Sequence, residues 1–233
     1  MLLGRRREIG ADIVLNGNPC QSEHDYSGVP GRYLVGPRYF LMDPGYGSAA
    51  VRPPKKDVKN ILLTVGGSDH NDLLFTLLRA FESFGDPYHV KIFSTSSTGY
   101  AERLKARLLT SSLSHELFLD VKSLAPFWAG CDAAVTAGGN TLFERIATRL
   151  PGATLCQLEL QMKIAGAFER MGVNLNLGFG PDIDEGALAR KLKLFLNDFD
   201  ARASQYEKAA DIIDGRGLEH LMQAVDTFQQ ETT

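Results

Sequence analysis

Short apolar runs alternate with amphipathic stretches from residue 60 almost to the end of the chain. The run NILLTVGG (60–67) is typical of a buried strand. The stretch after it (71–84) has apolar residues at the spacing of one helix face, namely Leu73, Leu74, Leu77, Leu78 and Phe81. The two stretches together predict a β-strand followed by an α-helix.

Five more strand and helix pairs follow the first one. They are YHVKIFS before 101–109, HELFLD before 124–129, DAAVTA before 141–150, GATLC before 161–171 and VNLNLG before 183–196. Strands separated by helices of this length pair in parallel. The pattern therefore predicts an α/β fold with a Rossmann-like, doubly wound parallel sheet flanked by helices.

The first fifty residues and the last thirty depart from this alternation. ADIVLN (11–16) and RYLVG (32–36) predict two strands with no helix between them, and VRPPKKDVK (51–59) is typical of a linker. We therefore predict that residues 1–50 are the remnant of an N-terminal domain and that 60–233 form a complete domain. The end of the chain predicts two helices, interrupted by the glycines of DGRG (214–217).

Composition and charge exclude several classes of function. The chain of 233 residues is 44% hydrophobic and carries a net charge of -3, so nothing in its charge favours nucleic acid or an anionic membrane. The three cysteines include no C-x-x-C pair, which favours reduced thiols in the cytoplasm and argues against a zinc site. No apolar run is long enough for a membrane span. We expect a cytoplasmic protein without a metal or other cofactor.

Two glycines separate a predicted strand from a helix in CDAAVTAGGNTLFERIA (131–147). Ligands of open parallel sheets bind outside the carboxyl ends of the strands, which is where Gly138 and Gly139 fall. Glycine lets the backbone approach a ligand, and a helix N-terminus favours a phosphate. Two interpretations are open: a phosphate-binding loop with Asn140 and Thr141 as further donors, or a tight turn in which Asn140 caps the helix.

A second glycine pair, Gly66 and Gly67, ends the first strand of the domain in the same way. Both loops therefore lie at the same edge of the predicted sheet, which strengthens the phosphate interpretation. Neither loop has the Lys-Ser/Thr pair of a P-loop, and neither matches G-x-G-x-x-G. ATP-type and dinucleotide sites are therefore disfavoured.

Glu144 lies one helical turn beyond Thr141 and shares its face of the predicted helix. Its carboxylate is a suitable acceptor for the two hydroxyls of a ribose beside a bound phosphate. The alternatives are a solvated helix residue or a capping-box partner of Thr141.

The segment from Cys131 to Gln161 closely resembles the nucleotide-sugar-binding half of GT-B glycosyltransferase-like proteins. Within them it is most similar to the UDP-sugar hydrolase of pseudaminic acid biosynthesis and to the spore-coat polysaccharide biosynthesis proteins. ILLTVGGSD (61–69), YLVGPRYFLMDPGY (33–46) and DGRG resemble the same family in the same order. The resemblance covers about residues 11 to 220 and implies the C-terminal domain of a GT-B fold.

The resemblance also implies a binding site for a UDP-activated sugar. It places Gly138, Gly139, Asn140 and Thr141 at the diphosphate and Glu144 at the ribose, with Gly66, Gly67 and Ser68 as the facing loop. It places Glu159 and Gln161 beside the sugar, and the backbone in the region of Val121 at the uracil. Asn140 stands where the family has serine, and Leu160 where it prefers asparagine.

The catalytic group of the related hydrolase is a histidine in an N-terminal domain that precedes ADIVLN. None of the five histidines here matches that position: His24 falls in a loop, His70 at a helix cap, and the others, His89, His115 and His220, in strand or helix patterns. We therefore assign no catalytic residue.

Two functions remain open from the sequence. One is an enzyme, or half of one, that hydrolyses or transfers an amino sugar from UDP. The other is a binding module that retains the nucleotide site without its catalytic lobe. The expected partners are a UDP-sugar and either a second copy of the chain or a separate N-terminal lobe.

Overall fold

In the computed structural model, two short parallel strands, β1 (Ile13–Asn16) and β2 (Arg32–Val35), pair with each other and with no other described strand. The model describes residues 11–22, 26, 31–49, 52–85, 87–96 and 99–231. A 3-10 helix at Pro37–Tyr39 and the short helix α1 (Pro44–Gly47) follow β2. Both strands were predicted from the sequence.

Six further strands form the main sheet. They are β3 (Asn60–Thr64), β4 (His89–Ser94), β5 (Ser114–Leu119), β6 (Ala133–Thr136), β7 (Gly152–Cys156) and β8 (Leu175–Phe179). They lie in the order β5-β4-β3-β6-β7-β8, and each neighbouring pair is parallel. The Rossmann-like parallel sheet is therefore confirmed.

Helices connect the strands and close the described chain. They are α2 (Leu73–Phe84), α3 (Tyr100–Leu109), α4 (Ala125–Trp128), α5 (Asn140–Ala147), α6 (Glu159–Arg170), α7 (Glu185–Asn197), α8 (Phe199–Ala209) and α9 (Gly217–Glu231), with a 3-10 turn at Gly180–Asp182. Each of the six predicted strand and helix pairs is present, and DGRG separates α8 from α9 as expected.

The core has two layers because successive side chains of a strand point to opposite faces. In β3, Ile61 and Leu63 pack with the apolar faces of α2 and α7. Leu62, between them, packs on the other face with residues of α5 and α6 such as Phe143 and Phe168. All five side chains are buried, which accounts for the continuous apolar run in the sequence of this strand.

The DGRG motif joins the end of the chain to the segment that follows β2. A Cβ at Gly215 would lie 2.7 Å from backbone atoms of Gly47, and one at Gly217 would lie 2.2 Å from the Phe40 carbonyl oxygen. Phe40 in turn stacks on Phe143 of α5 at a ring distance of 3.9 Å. Both glycines are therefore required by the close approach of two backbone segments.

The described part of the predicted linker is held against the domain. Arg202 of α8 is buried and donates to the carbonyl oxygens of Lys55 and Lys56, both at 2.7 Å. Lys55 Nζ lies 2.9 Å from the carboxylate of Asp132, which also accepts from the backbone N–H of Asn60. These contacts fix the direction in which the chain enters β3.

Candidate functional site

The two glycine loops lie at the point where the strand order of the sheet reverses. β3 and β6 are neighbours, but the chain continues from β3 to one edge of the sheet and from β6 to the other. Gly66 and Gly67 follow β3, and Gly138 and Gly139 follow β6. Crevices at such points are where open α/β sheets bind ligands.

A cleft of about 210 Å³ opens at this edge of the sheet. It is lined by the ends of β3 and β4, the loop after β5, the first turns of α5 and one residue of α1. Five of the residues predicted from the sequence line it together: Gly66, Gly67, Val121, Thr141 and Glu144.

Three of the four glycines leave room for a ligand. Gly66 has φ +89°, and neither it nor Gly67 has any described atom beyond its chain neighbours within 4 Å of where a Cβ would be. The nearest such atom to a Cβ at Gly139 is Gln161 Nε2, at 4.0 Å. Because the first N–H groups of α5 have no acceptor within the helix, this open backbone suits an anion.

Gly138 has a different role. An added Cβ would lie 2.7 Å from the Cβ of Gln161. Gly138 is itself buried, so its missing side chain is explained by the packing of α6 against this loop.

The start of α5 rules out two interpretations that the sequence left open. The helix begins at Asn140, and its N-cap is Gly139, without a side-chain capping bond. Asn140 is therefore not the cap. Thr141 is the second helical residue, which places Glu144 two residues beyond the position that a capping box needs.

Glu144 is half-buried and lines the cleft together with Tyr46. Burial raises the pKa of the Glu144 carboxyl, the neighbouring Tyr46 hydroxyl lowers it, and the nearby charge of Asp43 raises it again, with a net increase. Burial deprives the carboxylate of hydrogen bonds to water, and the hydroxyl groups of a ligand can replace those bonds.

The far end of the cleft has apolar walls and a polar rim. Phe93, Val121 and Leu124 line it beside the polar residues of the loop 120–123. Asp120 has φ 53° and accepts from the backbone N–H of Ser96 at 2.9 Å. The Ser96 side chain and this backbone N–H together lower the pKa of the Asp120 carboxyl. Such a slot suits a flat heteroaromatic ring.

Gln157, which the sequence analysis did not single out, ties the facing glycine loop to α6. Its Nε2 donates to the carbonyl oxygens of Val65 (2.7 Å) and Ser68 (3.0 Å). Its backbone N–H donates to Gln161 Oε1 at 2.8 Å. The side chain is buried, so these bonds are well shielded and hold the two loops at a fixed separation.

The remaining six predicted residues, Gly138 and Gly139 among them, lie beside the cleft and do not line it. Ser68, Asn140 and Glu159 are exposed, and Gln161 is occupied by its contacts with Gln157 and Gly138. Glu159 begins α6 between two exposed leucines, Leu158 and Leu160.

None of the four histidines in the described part of the chain lines the cleft. His70 is exposed, and the expectation that it caps a helix is wrong because Asp69 accepts from the first N–H groups of α2 (2.7 and 2.9 Å). The other three bond to protein groups, His89 to Ser114 and Glu116, His115 to Leu113, and His220 to Asp214. His24 lies outside the described residues.

The chain is similar to known proteins in sequence and in fold. It is 27% identical over 204 residues to the spore coat polysaccharide biosynthesis protein SpsG of Bacillus subtilis, covering 86% of this chain and 60% of SpsG. MurG of Acinetobacter baumannii superposes with a TM-score of 0.68 at 14% identity, covering 92% of this chain and 66% of MurG. A spinosyn rhamnosyltransferase, SpnG, solved with thymidine diphosphate, gives a TM-score of 0.58 at 17% identity, over 88% of this chain and 55% of SpnG. No protein-family model matches the chain.

These similarities confirm the GT-B architecture and the resemblance to the spore-coat polysaccharide proteins. The chain spans less than two thirds of the length of SpsG and of MurG. Within the described residues, no helix is both long and apolar enough to cross a membrane.

Proposed function

We propose that the chain binds a UDP-activated amino sugar and, together with a complete N-terminal domain, hydrolyses or transfers the sugar in the biosynthesis of a surface polysaccharide or a nonulosonic acid. The observation that carries this proposal is the single cleft that contains Gly66, Gly67, Thr141 and Glu144 at the reversal point of the sheet. The similarity to SpsG supports the polysaccharide context.

In this proposal each part of the cleft has a part of the nucleotide to bind. The diphosphate lies on the N–H groups of Gly139 to Thr141, facing Gly66 and Gly67, where backbone dipoles offset its charge. The ribose hydroxyls donate to Glu144. The uracil lies in the slot between Phe93 and Val121, where backbone groups of the loop 120–124 hydrogen-bond to its edge.

The sugar then extends from the diphosphate towards α6. Glu159 and Gln161 are the candidate residues beside it, and the exposed leucines Leu158 and Leu160 flank the same position. An acetamido methyl group on the sugar would bury apolar surface against these leucines.

The catalytic group belongs, in this proposal, to the complete N-terminal domain, of which β1 and β2 are the last part, and this domain closes the cleft. Closure excludes water from the diphosphate and strengthens every charge interaction there. The N-terminal domain is either part of the same protein or a separate partner, and a homodimer is the alternative arrangement. The three unpaired cysteines support a cytoplasmic location.

Differential thermal stabilisation tests the nucleotide assignment. At a concentration of about 100 times its dissociation constant, UDP should stabilise the fold by about 2.7 kcal/mol. UDP and UDP-N-acetylglucosamine should each raise the melting temperature more than ADP does at the same concentration. Equal shifts with UDP and ADP would contradict the uridine assignment.

A second function, a nucleotide-sugar-binding module without catalysis, is favoured by one observation. The four described histidines all lie outside the cleft, so none of these four is placed to activate water there. Loss of general-base catalysis typically costs about 10²- to 10⁴-fold in rate. We therefore expect the purified chain to bind UDP-amino sugars and to release UDP no faster than the buffer does; rapid release would show that the activating group lies within these 233 residues.

A further inference from the structure

The two edges of the main sheet, β8 and β5, differ in how their backbone groups are used. At the β8 edge, side chains occupy the backbone of Asn176: Glu169 accepts from its N–H, and Lys191 donates to its carbonyl oxygen. The side chain of Asn176 in turn accepts from the N–H of Gly178 at 3.1 Å. Sheets protect exposed edges in ways such as this, because an open edge can pair with a further strand. The β8 edge is therefore blocked.

The β5 edge is open. The N–H of Asp120, directly after β5, donates to the carbonyl oxygen of Ser94 in β4 at 3.1 Å. Backbone groups of successive strand residues point to alternate sides, so those of every second residue before Asp120 also face β4. The others, His115, Leu117 and Leu119, face outwards. Among the described residues, none is hydrogen-bonded to these outward N–H and carbonyl groups.

Apolar surface adjoins the open edge. A groove of about 890 Å³ lies between α3 and β5, and it is lined by Leu109 and Leu117 together with Glu102 and Lys105. Leu109 is 88% exposed, which makes it the most exposed large apolar side chain in the described part of the chain. Apolar surface beside unpaired strand backbone is typical of an interaction surface.

A second copy of β5 fits this edge in antiparallel register. A two-fold axis normal to the sheet places opposite each other residues whose side chains lie on the same face. With the axis at Leu117, this residue lies against its own copy, His115 lies against Leu119, and Glu116 lies against Phe118. The outward-facing residues then oppose one another, and each opposed pair exchanges two hydrogen bonds.

Charge favours this register and a partner identical to the chain itself. An axis at Glu116 would set two glutamates against each other, and an axis at Phe118 would set Glu116 against Asp120. Like charges directly opposite each other are destabilising. Beside the edge, Glu102 and Lys105 carry opposite charges, so two copies of the groove present both signs to each other. The surface can therefore meet itself, as a two-fold interface requires.

We propose that the chain forms a two-fold dimer in which β5 pairs with β5 of a second copy and joins the two sheets into one continuous sheet. This pairing uses the side of the sheet and leaves accessible the ends of the strands, where the nucleotide cleft lies. The dimer is therefore compatible with closure of each cleft by an N-terminal domain. It does not depend on the proposed function.

Sedimentation velocity of the full chain at increasing concentration tests the proposal. We expect a species of twice the chain mass of 25.5 kDa. Leu109→Lys should raise the dissociation constant of the dimer by tenfold or more, because each copy loses an apolar side chain from the interface. Leu194→Lys is the matched control and should leave the constant unchanged. Leu194 is 72% exposed and lies in a groove beside β8, at the blocked edge.

Residue-resolved hydrogen exchange locates the interface. The amide protons of His115, Leu117 and Leu119 should exchange at least tenfold more slowly in the dimer than in the dilute monomer. Those of Glu116 and Phe118, which already face β4, should change less. His115→Pro removes one outward N–H without removing a bond to β4, so it should also weaken the dimer.

Three results would overturn the proposal. One is a chain that keeps the mass of a single copy at every concentration. Another is a dimer whose outward β5 amides gain no protection, and the third is a dimer that Leu109→Lys weakens no more than Leu194→Lys does. If His115→Pro does not fold, the leucine variants and the exchange rates decide alone. None of these results bears on UDP binding, which the thermal-shift experiment measures separately.

Discussion

Gln161 occupies the space that a side chain at Gly138 would need. An added Cβ at Gly138 would lie 2.7 Å from the Cβ of Gln161 and 3.3 Å from its Cα and Cγ, whereas one at Gly139 would have 4.0 Å to the nearest atom of Gln161. Two adjacent glycines therefore serve different purposes, one for packing and one for an open backbone.

Gly138→Ala should destabilise the protein. The added methyl group forces α6 away from the loop, and overpacking of this kind typically costs about 1 to 3 kcal/mol. Urea denaturation should show a lower midpoint with an unchanged slope. A midpoint equal to that of the unmodified protein would mean that the loop and α6 separate without cost.

Gly139→Ala should instead affect mainly the binding of UDP. Its backbone, with φ -91° and ψ -152°, is accessible to alanine, and the methyl group has room in the absence of ligand. We expect a smaller loss of stability than for Gly138→Ala, from the poorer N-cap alone, and UDP binding weakened by about tenfold, since the methyl group keeps the diphosphate from the backbone N–H groups. Unchanged affinity would place the diphosphate elsewhere.

Glu144→Gln should weaken UDP binding by about tenfold to hundredfold, because hydrogen bonds to a charged acceptor are replaced by neutral ones. It should not destabilise the protein at pH 7. Burial raises the pKa of Glu144 in the folded state, so the protonated form favours folding: that stability is present below the unfolded pKa and is lost as the pH rises through the folded pKa.

Denaturation at several pH values tests the direction in which Glu144 makes the stability depend on pH. The stability of Glu144→Gln minus that of the unmodified protein should be larger at pH 7 than at pH 4. At pH 4 the carboxyl of the unmodified protein is largely protonated, so the two proteins differ less. A variant that is much less stable at both pH values would indicate that the carboxylate has a structural role.

Gln157→Leu should loosen the facing glycine loop. The side chain keeps its volume but no longer donates to the carbonyl oxygens of Val65 and Ser68, and an unsatisfied buried acceptor costs about 1 to 3 kcal/mol. Hydrogen exchange should increase across residues 66–72. Gln223→Leu, an exposed position on α9, is the control and should leave exchange there unchanged; equal exchange in both variants would contradict the role of Gln157.

The alternation of apolar runs and helical faces was sufficient to predict the parallel sheet, its six strands and the position of both glycine loops. Local pattern determines these features because a buried strand must be apolar and a helix covering a sheet must be amphipathic. The glycine loop and the helical spacing after it indicated Thr141 and Glu144, and the family resemblance assigned them to the diphosphate and the ribose; the two residues do line the cleft together.

The sequence did not indicate how Gly138, Asn140, Tyr46 and Gln157 contribute. Asn140 is a good capping residue by type, but the helix begins one residue earlier than the pattern suggests, at a boundary that local sequence defines poorly.

What the sequence determined by itself is therefore the order of the elements and the edge of the sheet where both glycine loops lie, since both follow from periodicity and from chain direction. Only the tertiary structure decided which side chains meet there. Tyr46 and Glu144 are far apart along the chain and come together in the cleft because α1 packs on α5. Gln157 and Val65 are equally distant, and they meet because the β7–α6 connection packs on the loop after β3. Contacts between distant segments depend on how helices pack on the sheet, which no local pattern encodes.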